Sequence, residues 1–219
     1  MGLFDKVLAG ASTGSTTSDL SAEWTKDRTV VLKGTPESLD EVKAAVDLTD
    51  PGSVCAYWLY SVMAMTADYD IGMSMMKFLY ADIEPFGRGF TEGGASGKAG
   101  WDSFFNDRLK DDDYRWLPRA YFAGAVASNG FKPETPLSVE LHYNEPNTTT
   151  INGQSLEALG RLNIVYAVKS NAAGNQVNIT VSKFEGSDRW YVTSGSSSAG
   201  IFYDQRSALT AEAKEKLYS

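Results

Sequence analysis

The sequence predicts an α+β fold, a helical N-terminal half packed on a C-terminal antiparallel sheet, and three observations carry that expectation. Helix caps and helical spacing of apolar residues run from Thr35 to Lys110. From Leu137 onward the apolar period changes to two. The links between the alternating runs, such as SNAAGN and EGSD, are too short for the crossovers that parallel strands need. Helices first and strands later, segregated along the chain, is the α+β arrangement.

Leu3, Phe4, Val7 and Leu8 share one helical face, and the ASTGSTTSDLSA that follows has the small, polar composition of a flexible linker. Residues 1–22 are therefore set apart as a short amphipathic segment and linker, and residues 23–219 as a single domain. The run TVVLK at Thr29–Lys33 is short and β-branched, so it reads as a strand. Thr35 caps the first expected helix, whose first position is Pro36 and whose apolar face carries Leu39, Val42 and Val46. Asp50 and Pro51 open the next in the same manner.

From Val54 to Met65 almost every residue is apolar, which at this length predicts a helix buried on most sides. Thr66 to Asp70 breaks it, and a third helix carries Met73, Met75, Met76, Phe78 and Leu79 up to Pro85. Five of the six methionines lie between Met63 and Met76 at helical spacing, which marks them as core filling rather than a binding groove. A fourth helix is expected from about Ala99 to Lys110, with Trp101, Phe104, Phe105 and Leu109 as its apolar stripe. The aromatic segment YRWLPRAYFAGAVASNGFKPETP, punctuated by proline and glycine, predicts a packed irregular connection. Then come LSVELHY, RLNIVYAVK, QVNITVSKF and RWYVT. In QVNITVSKF, Val177, Ile179 and Val181 share one face and Asn178, Thr180 and Ser182 the other, as in a sheet wet on one side.

Composition removes several chemistries. The net charge of −8 is spread along the chain with no clustered basic face, which argues against a nucleic-acid partner. Cys55 is the one cysteine and His142 the one histidine, so an internal disulfide and a zinc site of the usual nitrogen and sulfur kind cannot be assembled. Any histidine-based nucleophile activation must use His142, which the alternation of SVELHYN places opposite Leu141 and Tyr143 at an exposed strand position. The glycine-rich EGGASGKAGW at Glu92–Trp101 fails as a phosphate loop, because Gly93 stands one residue too near Gly97 and Ala99 replaces the hydroxyl. Asp68, Asp70 and Gly72 begin a calcium-loop pattern that Met73 and Leu79 break. No metal, cofactor or catalytic residue is therefore assigned.

Residues for contact are easier to name. Arg115, Trp116, Arg119 and Tyr121 concentrate guanidinium and aromatic groups in the irregular segment, and Lys98 and Trp101 lie where the glycine run meets the fourth helix. These six form the candidate binding surface. No run approaches the length that crosses a bilayer, and Lys6 alone lends basic charge to the N-terminal helix. A membrane partner is thus disfavoured, with weak surface contact confined to Leu3 and Phe4, and a cytoplasmic setting is expected.

The strings MMKFLYADIEPFGRGFTEGG, DSFFNDRL, DDYRWLPRAYFAGA, NGFKPETPLSVELHYN and RLNIVYAVKS resemble an uncharacterised bacterial domain family of unknown function, over roughly Glu37 to Thr193. The most specific part is Arg119 to Ala125, followed by Asn129, Pro133 and Pro136. The resemblance implies a single bacterial domain and carries no activity over. The function expected first is a non-enzymatic soluble binding module for a protein or small molecule. The alternatives are a hydrolase or transferase using carboxylates among Glu84, Glu92, Asp102, Asp107 and Glu140, and a peripheral structural protein that self-associates through its first ten residues.

Overall fold

The computed structural model describes residues 21–80, 107–145, 150–151, 154–155, 160–172, 176–193 and 210–218, and in it Asp50 starts the helix that organises the fold. The Asp50 carboxylate accepts from Gly52 N at 2.9 Å, with Pro51 in the first turn, where its missing N–H costs nothing. The same carboxylate takes both Arg28 guanidinium nitrogens at 2.8 Å, which ties the helix start to the first strand. This is helix α2 (Pro51–Ala64), and every residue from Pro51 to Val62 is buried. The expectation of a helix enclosed on most sides is met.

Helix α1 (Leu39–Ala45) starts later than its caps suggested. Ser38, not Thr35, is the N-cap, accepting from Glu41 N at 3.3 Å, while Glu41 reaches back to Glu37 N at 2.9 Å. The Pro36 carbonyl is occupied by the buried Tyr60 hydroxyl at 2.7 Å, a tertiary bond that keeps this stretch out of the helix. Helix α3 (Tyr69–Leu79) is capped by Asp68 and carries buried Met73, Met75, Met76 and Leu79, so the methionines are core as expected. It stops at Leu79 rather than continuing to Pro85, because Tyr80 turns extended and bridges Val192. Gly72 sits in the crossing of α2 and α3, where a side-chain carbon would lie 2.7 Å from the Ser61 carbonyl. Residues 107–109 end the expected fourth helix in helical form, and its remainder lies outside the described residues, as do residues 1–20.

The strands are β1 (Arg28–Val31), β2 (Ser138–Asn144), β3 (Thr150–Ile151), β4 (Gln154–Ser155), β5 (Arg161–Lys169), β6 (Gln176–Phe184) and β7 (Trp190–Val192). A five-stranded sheet runs β1-β2-β5-β6-β7, antiparallel throughout, and β3–β4 forms a small separate ribbon. The register sets Ile164, Tyr166 and Val168 opposite Val181, Ile179 and Val177, and with Val139, Leu141 and Trp190 they make the face on which α2 lies across the sheet. The other face corrects one expectation. Asn178 is exposed and Thr180 half-buried, but Ser182 is 0% exposed. Its hydroxyl is within 2.6 Å of both Asn163 Oδ1 and Thr193 Oγ1 and receives Arg161 Nε at 3.1 Å, so its polarity is satisfied within the protein.

The aromatic connection is irregular and packed, as its composition predicted. Two short 3-10 turns, Leu117–Tyr121 and Ala127–Asn129, punctuate it, and Trp116, Leu117, Tyr121, Phe122 and Phe131 are buried. A C-terminal helix, α4 (Ala211–Tyr218), was not foreseen, and it packs on the second of these turns. Among the described residues no helix is long and apolar enough to cross a membrane.

Candidate functional site

Among the described residues, two concavities lined by charged side chains stand out. The first lies on the irregular connection and has a volume of about 260 Å³, lined by Arg115, Trp116, Arg119 and Leu217. Its aromatic wall is fixed. The Trp116 indole donates to the Asp113 carbonyl at 2.9 Å and packs on the Phe131 ring with centroids 4.2 Å apart. Leu217 arrives from α4, which is seated by Lys214 on Asp113 at 2.8 Å and by Lys216 on the Ser128 carbonyl at 2.9 Å. The seat is tight, since a side-chain carbon at Gly130 would lie 2.7 Å from Leu217 N, and φ there is +67°. Arg115 is exposed and pairs with the exposed Asp112 at 3.3 Å, while Arg119 is half-buried.

The second is a groove of about 530 Å³ at the end of the sheet, where β5 begins and β6 ends. Leu162 and Lys183 face each other across the strands at the parity of the apolar face, and both are half-buried. Trp24 stands beside them, edge-on to Trp190 at 5.4 Å, its carbonyl held by the Tyr166 hydroxyl at 2.8 Å. The rim is the β6–β7 turn with Glu185 and Asp188, and Glu185 N donates to the Gly160 carbonyl at 2.7 Å. Gly160 adopts φ +59°, and a side-chain carbon there would come within 2.7 Å of the Glu185 carboxylate. Arg161 borders the groove by its place on the strand, but its guanidinium is turned to the opposite face, held by Asn163 and Ser182 through Nε and by Thr193 through Nη2 at 2.8 Å. Burial pushes the Arg161 guanidinium down to about 10, with the nearby Tyr80 phenol opposing the shift, so it is still charged at neutral pH.

Of the residues expected to form a binding surface, Arg115, Trp116 and Arg119 meet at the first concavity. Tyr121 is buried at 2% exposure in the 3-10 turn and does not line it. Lys98 and Trp101 lie outside the described residues, as do Glu84, Glu92 and Asp102 among the carboxylates weighed for hydrolysis. Glu140 is exposed on β2. His142 is half-buried, with Nδ1 3.0 Å from Asp27 Oδ2; among the described residues no hydroxyl completes a nucleophile, base and acid relay. Cys55 is fully buried, and desolvation raises its thiol well above the ordinary range, which makes it a poor nucleophile. No group of three or more metal-binding side chains occurs among the described residues.

The sheet-end groove and the Leu217 wall of the first concavity were not expected from the sequence. A signal existed for each. Lys183 occupies a position where the alternation of Val177, Ile179 and Val181 calls for an apolar residue, which marks where the covered face ends. The segment AEAKEKLY is built of strong helix formers with Glu212 and Lys216 at i and i+4, paired at 2.7 Å.

The fold and the two concavities define an α+β domain with a helical layer over one face of an antiparallel sheet and ligand-sized hollows outside that contact. The chain belongs to a family described as a domain of unknown function (DUF6935), whose model matches residues 34–208. The match agrees with the sequence resemblance as far as an uncharacterised domain family of unknown function. Comparison with curated proteins and with solved structures gives no match.

Proposed function

We propose that the chain is a non-enzymatic binding module, and that Arg115 and Arg119 present its contact surface to an acidic group on a protein or small molecule. The supporting observation is the first concavity, which Arg115 and Arg119 line together with Trp116 and Leu217. Guanidinium is planar, permanently charged and suited to two-point hydrogen bonding with carboxylate or phosphate. Its pairing with Asp112 is between exposed groups, worth little, and a ligand oxyanion can replace it. A cytoplasmic setting belongs to the same reading, supported by a lone, buried cysteine; the bacterial origin rests on the sequence resemblance.

The test is titration of the full chain with inorganic phosphate, citrate and a glutamate-rich peptide, followed by amide chemical shifts. Binding that perturbs residues 113–121 and weakens about tenfold in Arg115→Ala or Arg119→Ala is the expected result. Unchanged affinity in both variants, with urea midpoints matching the parent chain, would remove this surface from consideration.

A further inference from the structure

The groove at the end of the sheet is a second site, independent of the arginine concavity, and its lining specifies the ligand. At about 530 Å³ it lies within the roughly 300–1,000 Å³ range of small-molecule pockets. Lys183 and two carboxylates, Glu185 and Asp188, line it together, while the Arg161 guanidinium is turned to the opposite face of the sheet against Asn163, Ser182 and Thr193. Charges of both signs stand together, so a ligand of either single sign is repelled by part of the lining. A wholly apolar ligand is excluded by the cost of covering these charged groups without replacing their water contacts.

What suits such a lining is a neutral molecule whose groups donate and accept at once. A hydroxyl does both: it donates to a carboxylate and accepts from an ammonium or guanidinium. The Trp24 and Leu162 side chains add apolar surface on which the C–H face of a ring can rest. The parts are also fixed beforehand. The turn is pinned to Gly160 and Trp24 is anchored by Tyr166, so little ordering remains to be done on binding. We infer that the sheet-end groove bounded by Trp24, Lys183, Glu185 and Asp188 binds a neutral polyhydroxylated ligand, a saccharide.

Saturation-transfer NMR on the full chain, with maltose, cellobiose and diacetylchitobiose as probes and glycyl-phenylalanine and inorganic phosphate as competitors, tests this. At least one disaccharide should receive saturation on its ring protons and be displaced by neither competitor. Glu185 and Asp188 are exposed on the turn, so the double variant Glu185→Gln, Asp188→Asn keeps the fold, and it should weaken binding about tenfold, as should Lys183→Met. Arg115→Ala should leave saccharide binding unchanged, which separates this site from the one proposed above. Saturation of no disaccharide, equal saturation in parent and variants, or preferential binding of the dipeptide would each overturn the assignment.

Discussion

The two concavities are built by opposite means. The arginine concavity assembles two irregular turns and a terminal helix that meet through a handful of contacts, among them a lysine and an aspartate 101 residues apart. The sheet-end groove is set by strand register, with Leu162 and Lys183 fixed opposite each other by a ladder running the length of β5 and β6. A site held by docking can be dismantled without unfolding the domain, whereas a site held by register persists as long as the sheet does.

The sharpest way to break that contrast is Gly130→Ala. The substitution forces a positive φ on alanine and drives a methyl into the α4 backbone, for a loss of roughly 2–4 kcal/mol. Hydrogen exchange should rise across residues 211–218 while β5 and β6 remain protected; equal exposure of both regions would mean that the two sites are not separable. On the groove side, Ser182→Ala removes a hydroxyl that receives Arg161 and contacts Asn163 and Thr193, and should cost about 1–3 kcal/mol in urea denaturation. Binding to the arginine concavity should be untouched.

Tyr166→Phe is a smaller perturbation. It frees Trp24 from its anchor at a cost of about 1 kcal/mol, and Trp24 fluorescence anisotropy should fall. The same phenol gives a pH dependence of definite sign. Desolvation raises it above its ordinary value near 10, so the stability it contributes is complete below that pH and is lost as pH rises through the folded-state value. Tyr60, pushed up to about 12 by burial and by Glu37 and Glu41, acts in the same direction. The tyrosinate absorbance owed to Tyr166, read as the difference between the parent chain and Tyr166→Phe, should therefore appear together with unfolding above about pH 10, and not before it.

The smallest effect belongs to Asp27, whose carboxyl is held below its ordinary 3.8 by hydrogen bonds from His142 and the Tyr143 amide. Its contribution is present above that pH and lost as pH falls through the lower folded-state value. In Asp27→Asn the thermal midpoint should change less between pH 5 and 3 than in the parent chain, with neither concavity affected.

Much of the fold was legible because its signals are local. The limits of β5 and β6 match their alternating runs, and Asp50-Pro51 announced α2 because a capping side chain and a proline act within one turn. The failures occurred where a distant group intervened. Tyr60 holds Pro36 and delays α1, Val192 draws Tyr80 out of α3, and Arg161 makes Ser182 an interior residue. For the candidate sites, Arg115 and Arg119 were found by composition, whereas Trp24 carries no local mark that places it beside the β6–β7 turn.

By itself the sequence determined the periods, the caps and the supply of reactive groups, because these depend on residue type and on neighbours a few positions away. The tertiary structure decided that β1 pairs with β2, that Leu217 and Trp116 line one hollow, and that Trp24 and Lys183 line another. Those meetings join residues far apart in the chain. Which of them form is settled by how the whole set of apolar faces is buried at once, a condition no single segment records.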